Sequence, residues 1–256
     1  MHTKHFYTVL LLLASLTLAG AGCGQKASES TDTAPTSSQG SKTSDACGNP
    51  YYPFKPGLTI AYSVTPPAGV AGDSDFTTRI ISVSGTKAKV SVELAGGLTA
   101  DMEADCASGS VALNGSSGLD SAMEGVKFKT TVISSSGTFM PANVKTGSTW
   151  SNSETIKMEI TEGPTANFGP ITITTTENSK AVSEESVTVP AGTYKAVKVE
   201  LTRTSKSEFS GAYAINMPET TSTSTEWWVK GIGMVKTITV TDGETSTTEA
   251  KSVTGQ

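Results

Sequence analysis

The chain has 256 residues, with 19 basic and 24 acidic side chains and a formal net charge of −5. This length allows one large β domain or two small ones. Nucleic acid is excluded as a partner, because no basic stripe is present to neutralise phosphates. The two histidines, His2 and His5, lie in a segment predicted to be removed, so histidine-dependent triads and histidine zinc sites are excluded as well.

Residues 1–22 have the features of an export signal. Lys4 provides a short positive start, and an apolar run covers Val9–Leu18. This run is too short for a comfortable membrane span, which needs about 20 residues. We therefore predict a signal peptide.

Cys23 is the predicted lipidation site. The segment Ala19–Cys23 resembles the lipobox of bacterial lipoproteins, in which the cysteine is acylated, for example with palmitate, and becomes the mature N-terminus. It departs from that pattern at Gly20, where leucine is usual. An ordinary secretory signal cleaved nearby is the alternative. Two or three acyl chains, at about 0.8 kcal/mol per buried methylene, would hold the protein on the extracytoplasmic side of the cell membrane or the outer membrane.

Residues 23–46 are predicted to be the lipidated cysteine followed by a disordered tether. Ten of the 23 residues from Gly24 to Ala46 are Ser or Thr, and none is a large apolar residue, so this stretch cannot bury a core. As a flexible coil it would reach about 25 Å, from roughly 5–6 Å times the square root of its length. Removal of residues 1–22 takes away one charge, on Lys4, and leaves 18 basic against 24 acidic residues, a net charge of −6.

Cys47 and Cys106 are the cysteines that remain. Two cysteines in an exported chain favour a disulfide. This one would close a loop of about 60 residues, worth about 4 kcal/mol on chain-entropy grounds. A pair of buried thiols is the alternative. The alternation of its neighbours places Cys106 on the inward face of a predicted strand, as either reading requires.

Residues 47–256 are predicted to form a β-rich domain. Apolar and polar residues alternate with a period of two, which is typical of half-buried strands, and no stretch shows helical spacing between caps. Phe209–Thr225 is interpreted as a long hairpin or loop, and Ser108–Gly125 as a Gly- and Ser-rich stretch around a short apolar run. The predicted strands are Leu58–Val64, Phe76–Val83, Ala88–Leu94, Leu98–Cys106, Val126–Val132, Trp150–Ile160, Ile171–Thr176, Ala181–Val189, Val197–Leu201, Trp227–Val229 and Met234–Val240.

Two pairs of motifs suggest an internal duplication. Lys55–Ile60 aligns with Lys145–Trp150, and Gly85–Leu94 aligns with Gly192–Leu201 at six identical positions of ten. Matches of this kind also arise by chance in low-complexity β sequence. A duplication would give two similar sheets, or two halves of one curved sheet, around a shared core.

The duplicated halves would cover about 50–135 and 136–245. Trp150, Trp227 and Trp228 are the large side chains expected to fill their shared core. A platform for a ligand is the alternative role for these tryptophans.

Carboxylates are the remaining groups with chemical potential. Asp73–Asp75, Glu184–Glu185 and the set Asp101, Glu103 and Asp105 could bind calcium or form an acid/base pair. The last set shares one face of a strand, which indicates a solvated sheet face, and Asp73–Asp75 lacks the further ligands of an EF-hand. Gly231–Gly233 lies between strands and indicates a turn, and no nucleophile elbow or phosphate-binding glycine motif is present. We predict no catalytic residue, no cofactor and no metal site.

Val189–Val199 and Trp227–Lys236 together resemble a family of exported bacterial β-rich proteins of unknown function, the TapB-like family. Members carry a Val-Pro-Ala-Gly-Thr-Phe/Tyr segment before a Trp-Tyr-x-x-Gly-Val-Gly-Leu-Val-Lys hairpin, and their opening resembles Tyr52–Gly57. The likeness covers about residues 50–240, with Trp228 where Tyr is usual and Met234 where Leu is usual. It implies a curved antiparallel sheet or half-barrel, similar to the LolA and lipocalin-like folds, and brings no catalytic residues.

The expected function is contact rather than catalysis. We expect a lipid-anchored, extracytoplasmic binding or envelope-accessory module, not an enzyme, whose curved sheet holds an apolar ligand such as an acyl chain. A structural or assembly partner of other surface proteins, acting through exposed strand edges, is the alternative. A third hypothesis, an acid hydrolase, requires two carboxylates that face each other in a cleft.

Overall fold

The computed structural model describes residues 47–70, 75–95, 99–117, 127–162, 169–210 and 215–255. The predicted signal peptide, Cys23 and the tether lie outside these ranges. In the described part of the chain, no helix is long and apolar enough to cross a membrane. The regular structure of the described ranges consists of thirteen strands: β1 Thr59–Thr65, β2 Phe76–Ser84, β3 Lys87–Leu94, β4 Thr99–Ala107, β5 Ser110–Ser117, β6 Lys127–Gly137, β7 Thr149–Glu162, β8 Ile171–Val189, β9 Gly192–Phe209, β10 Ile215–Asn216, β11 Thr220–Val229, β12 Gly233–Thr241 and β13 Glu244–Thr254.

The strands form one curved, nearly closed antiparallel sheet. The spatial order is β5-β4-β3-β2-β1-β13-β12-β11-β9-β8-β7-β6, and the short β10 pairs only with β9. Strands β1–β5 are therefore one meander and β6–β13 another, joined where β1 pairs with β13. The predicted all-β class and curved antiparallel sheet are confirmed.

The strands differ from the sequence prediction at several places, and Thr220–Thr225, interpreted as part of a hairpin or loop, belongs to β11. Ser110–Ser117 forms β5, although its apolar content is limited to a short run. Glu244–Thr254 forms β13, a threonine-rich strand that no prediction covered and that is placed by its pairing with β1 and β12. The predicted strands Ile171–Thr176 and Ala181–Val189 are parts of one 19-residue strand, β8. The residues between them stay paired with β9 and place polar side chains, such as Glu177, on the buried face.

The two edges of the sheet meet near the start of β5. Val111 forms an isolated bridge with Met140, which follows β6, and the Val111 N–H donates to the Met140 carbonyl at 2.8 Å. A disulfide joins Cys47 to Cys106 on β4, with their Cα atoms 5.5 Å apart. Cys106 is buried on the inner face. The segment before β1 is thus tied to one edge of the sheet.

Asn49 holds this junction together from inside. Its side chain has no solvent exposure. The amide oxygen accepts from the backbone N–H groups of Tyr51 and Tyr52, both at 2.9 Å. The amide nitrogen donates to three carbonyls: Gly109 at 2.7 Å, Pro141 at 3.1 Å and Met140 at 3.2 Å. One side chain therefore satisfies backbone groups from three separate segments, which buried polar groups require.

The turns before β1 and β7 have equivalent hydrogen bonds. In each, the N–H of the turn glycine donates to the backbone carbonyl of a residue on the second strand after the turn, β2 or β8. The N–H of that residue donates to the carbonyl of the residue that follows the glycine. The three residues are Gly57, Ile80 and Leu58 in one half, and Gly147, Ala181 and Ser148 in the other. The turns in Lys55–Ile60 and Lys145–Trp150 are therefore alike in their hydrogen bonds, and the duplication stays a prediction.

The hairpins that follow have equivalent bulges. Ile81 is bulged in β2 and Val182 in β8. Ile80 pairs with Val90 and Ala181 pairs with Val199, so the pairing makes Val90 equivalent to Val199. The glycine-based alignment matched Val90 to Val197, two residues away, because the β8–β9 hairpin is longer than β2–β3.

The inner face carries the main hydrophobic core. Its buried members come from both meanders and include Val90, Val92 and Met102 from one and Val197, Val199 and Trp228 from the other. A second cluster contains Trp227 together with residues near the β8–β9 tip, Val187 and Val189. The Ala191 N–H in this tip donates to the Ala250 carbonyl of β13 at 3.0 Å, so the long hairpin also packs against the strand that joins the meanders.

Replacement of Asn49 tests the junction. Asn49→Ala is expected to lower the free energy of unfolding by about 3–5 kcal/mol, since several buried backbone groups lose their partners at about 1–3 kcal/mol each. Urea denaturation followed by tryptophan fluorescence would measure the loss. Ser148→Ala removes an exposed hydrogen bond to the Lys145 N–H and is the control, expected to cost less than about 0.5 kcal/mol. Equal effects of the two substitutions would contradict this role.

Candidate functional site

A cavity of about 450 Å³ lies inside the sheet. Its volume falls within the range of small-molecule sites, which is roughly 300–1,000 Å³. One wall comes from β1–β5 and is mainly apolar. The residues of this apolar wall are Leu58, Ile60, Tyr62, Val64, Phe76, Ile80, Val90, Val92, Leu94, Met102 and Leu113. The period of two that predicted these strands also explains why these side chains face inward together.

The opposing wall is polar and comes from β11–β13. It carries six hydroxyl groups, and we call it the hydroxyl wall: Ser224, Thr237, Thr239, Thr241, Ser246 and Thr248. Cross-strand pairing places them in rows. Glu226 pairs with Thr237, which pairs with Thr248, and Ser224 pairs with Thr239, which pairs with Ser246. The Ser224 and Thr239 hydroxyls lie 2.8 Å apart and share a hydrogen bond.

Aromatic side chains form the closed end. Phe139 contacts Tyr52 and Trp228 edge-on, with ring centroids 5.8 and 5.7 Å apart. Tyr52 is held by its N–H bond to Asn49, and the Phe139 N–H donates to the Val111 carbonyl at 2.9 Å. The closed end is therefore assembled by the same junction that brings the sheet edges together.

The described residues leave the other end of the cavity open. Pro66, Pro67 and Val70, which follow β1, are only partly buried there. Asp242 and Glu244, at the β12–β13 turn, line the same rim and are exposed. The cavity is thus a pocket with one aromatic closed end and one acidic, solvent-facing rim.

Charged groups lie beside the hydroxyl wall. Arg203 and Glu226 line the cavity. The Arg203 Nε donates to Glu177 Oε1 at 2.5 Å, and the Glu177 side chain is almost fully buried behind it. Glu226 Oε2 accepts from the Trp228 indole N–H at 2.8 Å. Burial of paired charges is tolerated when hydrogen bonds compensate for lost water.

Glu226 has a raised pKa of about 7. Burial is the main cause, because it penalises the charged carboxylate. The nearby Glu177 raises the pKa further, whereas the Trp228 hydrogen bond and the charge of Arg203 lower it. Near neutral pH this carboxyl therefore exists in both protonation states.

The carboxylates predicted from sequence lie away from the cavity lining, except where they fall outside the described residues. On β4, Asp101 pairs with Lys89 at 2.7 Å and Glu103 with Lys87 at 2.6 Å, and Asp105 accepts from Thr86. Solvated ion pairs of this kind are the predicted sheet-face arrangement. Asp75 pairs with Lys251, Glu184 pairs with Lys195, and Asp73 is not among the described positions. No group of three or more possible metal ligands is found in the described ranges.

The tryptophans divide between packing and cavity. Trp227 packs in the second cluster, with its indole N–H donating to Glu185 at 2.8 Å. Lys198 and Lys236 lie 5.7 and 5.8 Å from its ring centroid. Trp228 is a buried core residue that also lines the cavity. The packing role predicted for the tryptophans therefore applies to Trp228, and the role as a ligand platform stays a prediction.

Glu177, Arg203 and Glu226 were missed by sequence reasoning. The signal was present, since Glu226 alternates in phase with Trp228, and Arg203 with Val199 and Leu201. A period-two argument extended past the apolar residues would have placed these charges on the inner face. Closely spaced carboxylates are the local sequence signal for an acid pair, whereas Glu177, Arg203 and Glu226 come from three different strands.

Comparison with known proteins gives the family. A family model described as DUF3108-like matches residues 84–245. The chain belongs to the DUF3108-like family. No curated protein matches the chain.

Two solved structures support the fold of this DUF3108-like protein. One is a Bacteroides fragilis protein described as exported with a YmcC-like fold, with a TM-score of 0.50. The other is a Parabacteroides distasonis protein described as a lipoprotein, with a TM-score of 0.51. Each is 14% identical and matches 80% of this chain and 98% of its own. At this identity the likeness shows the fold alone.

The pKa of Glu226 predicts a pH-dependent stability. Below its ordinary pKa of 4.5 the carboxyl is protonated in both states, and stability is then lost as pH rises toward about 7, because the unfolded chain ionises first. The full shift in pKa corresponds to a loss of about 3 kcal/mol in the free energy of unfolding. We expect a loss of about 2 kcal/mol because solvent reaches part of the side chain.

Glu226→Gln should remove this loss. Urea unfolding at pH 5 and pH 8 is the measurement, and the variant should gain about 2 kcal/mol relative to the parent between the two. The exposed Glu200→Gln on β9 is the matched control and should follow the parent. Parallel pH profiles for the parent and Glu226→Gln would contradict the raised pKa.

Proposed function

We propose that this protein is a non-catalytic, lipid-anchored envelope protein that holds an apolar ligand such as an acyl chain inside its sheet. The single observation that carries the proposal is the open cavity of about 450 Å³ with its continuous apolar wall. An apolar cavity of this size that opens to solvent is a typical ligand site, since occupancy removes exposed apolar surface from water.

The extracytoplasmic location is part of the same proposal. It is supported by the export signal and lipobox-like segment that ends at Cys23, and by the Ser- and Thr-rich tether. A Cys47–Cys106 disulfide fits an oxidising compartment. Two proteins of similar fold are described as exported and as a lipoprotein. The resemblance to TapB-like proteins, which are also exported, points the same way.

A carboxylate-based hydrolase is the competing function, favoured by the interaction of Glu177 with Glu226. An acid/base pair needs both groups within reach of a substrate. Glu226 lines the cavity, but Glu177 does not. Glu177 is 2% exposed and is bonded to Arg203. One accessible carboxyl can bind or donate a proton, but it does not make a pair, so binding is the better-supported function.

A bulky residue in the apolar wall tests ligand binding. Leu94→Trp places a larger side chain in the partly buried wall near the rim and is expected to weaken binding of the uncharged probe N-phenyl-1-naphthylamine at least tenfold. Ile81→Trp, on the adjacent strand β2, is the control, because Ile81 is 46% exposed and lies outside the cavity lining. Fluorescence titration is the measurement. Absence of probe binding by the parent, or equal binding by both variants, would refute the proposal.

Anchoring has its own test. Cys23→Ser is expected to move the protein from the membrane fraction to the soluble extracytoplasmic fraction, because the acyl chains proposed to anchor it can no longer be attached. Fractionation with metabolic labelling by a palmitate analogue would show both the location and the loss of label. An unlabelled parent protein in the soluble fraction would contradict lipidation.

A further inference from the structure

The hydroxyl wall is unusual for a pocket that binds only hydrocarbon. A pure hydrocarbon ligand gains nothing from six hydroxyl groups, and it would bury them without replacing the water that bonds them. These side chains are not scattered, because pairing across β11, β12 and β13 places them in adjacent rows on one wall. The arrangement suits a ligand that is apolar on one side or at one end and forms hydrogen bonds along another.

The charges around the cavity discriminate between head groups. Among the described residues, the lining holds three acids, Glu226, Asp242 and Glu244, and two cations, Arg79 and Arg203. The charge of Arg203 is already matched by Glu177. Arg79 is exposed, and the three acids outweigh its single charge, so a carboxylate or phosphate head group would meet net repulsion.

The hydrogen bonds that remain available are those of neutral groups. Ser and Thr hydroxyls act both as donors and as acceptors. An ester carbonyl or a diol can use both kinds of partner without bringing charge into a partly buried site. The closed end is lined by the aromatic residues Tyr52, Phe139 and Trp228, which suit the end of a hydrocarbon chain.

We infer that the ligand is an uncharged, single-chain amphiphile of the glycerol-monoester class, with its chain along the apolar wall and its ester and hydroxyl oxygens against the hydroxyl wall. This inference rests on the proposed function and specifies the ligand of the same cavity. It assigns the hydroxyl wall a role in specificity, separate from the role of the apolar wall in affinity.

Three ligands of equal chain length test the head group. Monooleoylglycerol, oleate and oleyltrimethylammonium would be titrated against the full chain at pH 8, below their critical micelle concentrations, by displacement of N-phenyl-1-naphthylamine. The glycerol ester is expected to bind at least tenfold more tightly than oleate. It should also bind more tightly than the ammonium, which cannot donate or accept hydrogen bonds from the hydroxyl wall.

Two variants separate hydrogen bonding from charge. The double variant Thr237→Val and Thr239→Val keeps side-chain size and should weaken the glycerol ester five- to tenfold while leaving oleate unchanged. Thr223→Val, on the exposed face of β11, is the matched control and should change neither. Glu226→Gln should strengthen oleate severalfold and leave the glycerol ester within twofold, a difference that general loss of structure would not produce.

The outcomes separate this inference from the proposed function. Equal affinities for the three ligands, or tightest binding of oleate or the ammonium, would overturn the inference and leave an apolar-ligand carrier intact. Displacement by none of them, together with no effect of Leu94→Trp on the probe, would overturn both. Preference for the glycerol ester that survives the Thr237→Val and Thr239→Val changes would overturn the role of the hydroxyl wall.

Discussion

The meeting of the two sheet edges is the constraint on which the rest of the structure depends. An open antiparallel sheet of this size would expose unpaired backbone groups on β5 and β6 and would have no interior. In the described part of the chain, a short bridge from Val111 to Met140 spans the gap, and the buried Asn49 adds its five hydrogen bonds at that point. Because Tyr52 and Phe139 are positioned by this junction, it also creates the closed end of the cavity.

The inner face of the sheet is chemically divided. The first meander lines the interior with aliphatic side chains, whereas β11–β13 contribute hydroxyls and β8, β9 and β11 contribute charges. An interior built only for stability would favour well-packed aliphatic groups, since buried ion pairs seldom add net stability. The polar half therefore points to recognition rather than to packing.

The sequence predicted the fold better than the site. Period-two alternation in Ala88–Leu94 or Val197–Leu201 is a direct physical consequence of a sheet with one buried face, and these strands were predicted correctly. The strand β13 was not, because a run such as Glu-Thr-Ser-Thr-Thr has no apolar alternation, and its place follows from long-range pairing with β1. Any two of Glu177, Arg203 and Glu226 are 23–49 residues apart in the sequence. They come together only through the register of the strands, which local patterns do not specify.

The same limit applies to the predicted duplication. Equivalent turns at Gly57 and Gly147 could be recognised from sequence, since a glycine turn followed by a strand leaves a short local motif. The unequal length of the two hairpins could not, because it depends on where the bulges at Ile81 and Val182 fall. The longer second hairpin reaches β13 through Ala191, and no local sequence pattern indicates this contact.

The position at which the chain enters the folded domain has a further consequence. Residues 47–50 lie beside the aromatic closed end, where Pro50 accepts a hydrogen bond from Gly231, and the rim at Pro66 and Glu244 lies at the far ends of β1 and β13. Under the proposed anchoring at Cys23, the tether would therefore join the domain at the end opposite the rim. A ligand could then enter the cavity without passing the point at which the tether is attached.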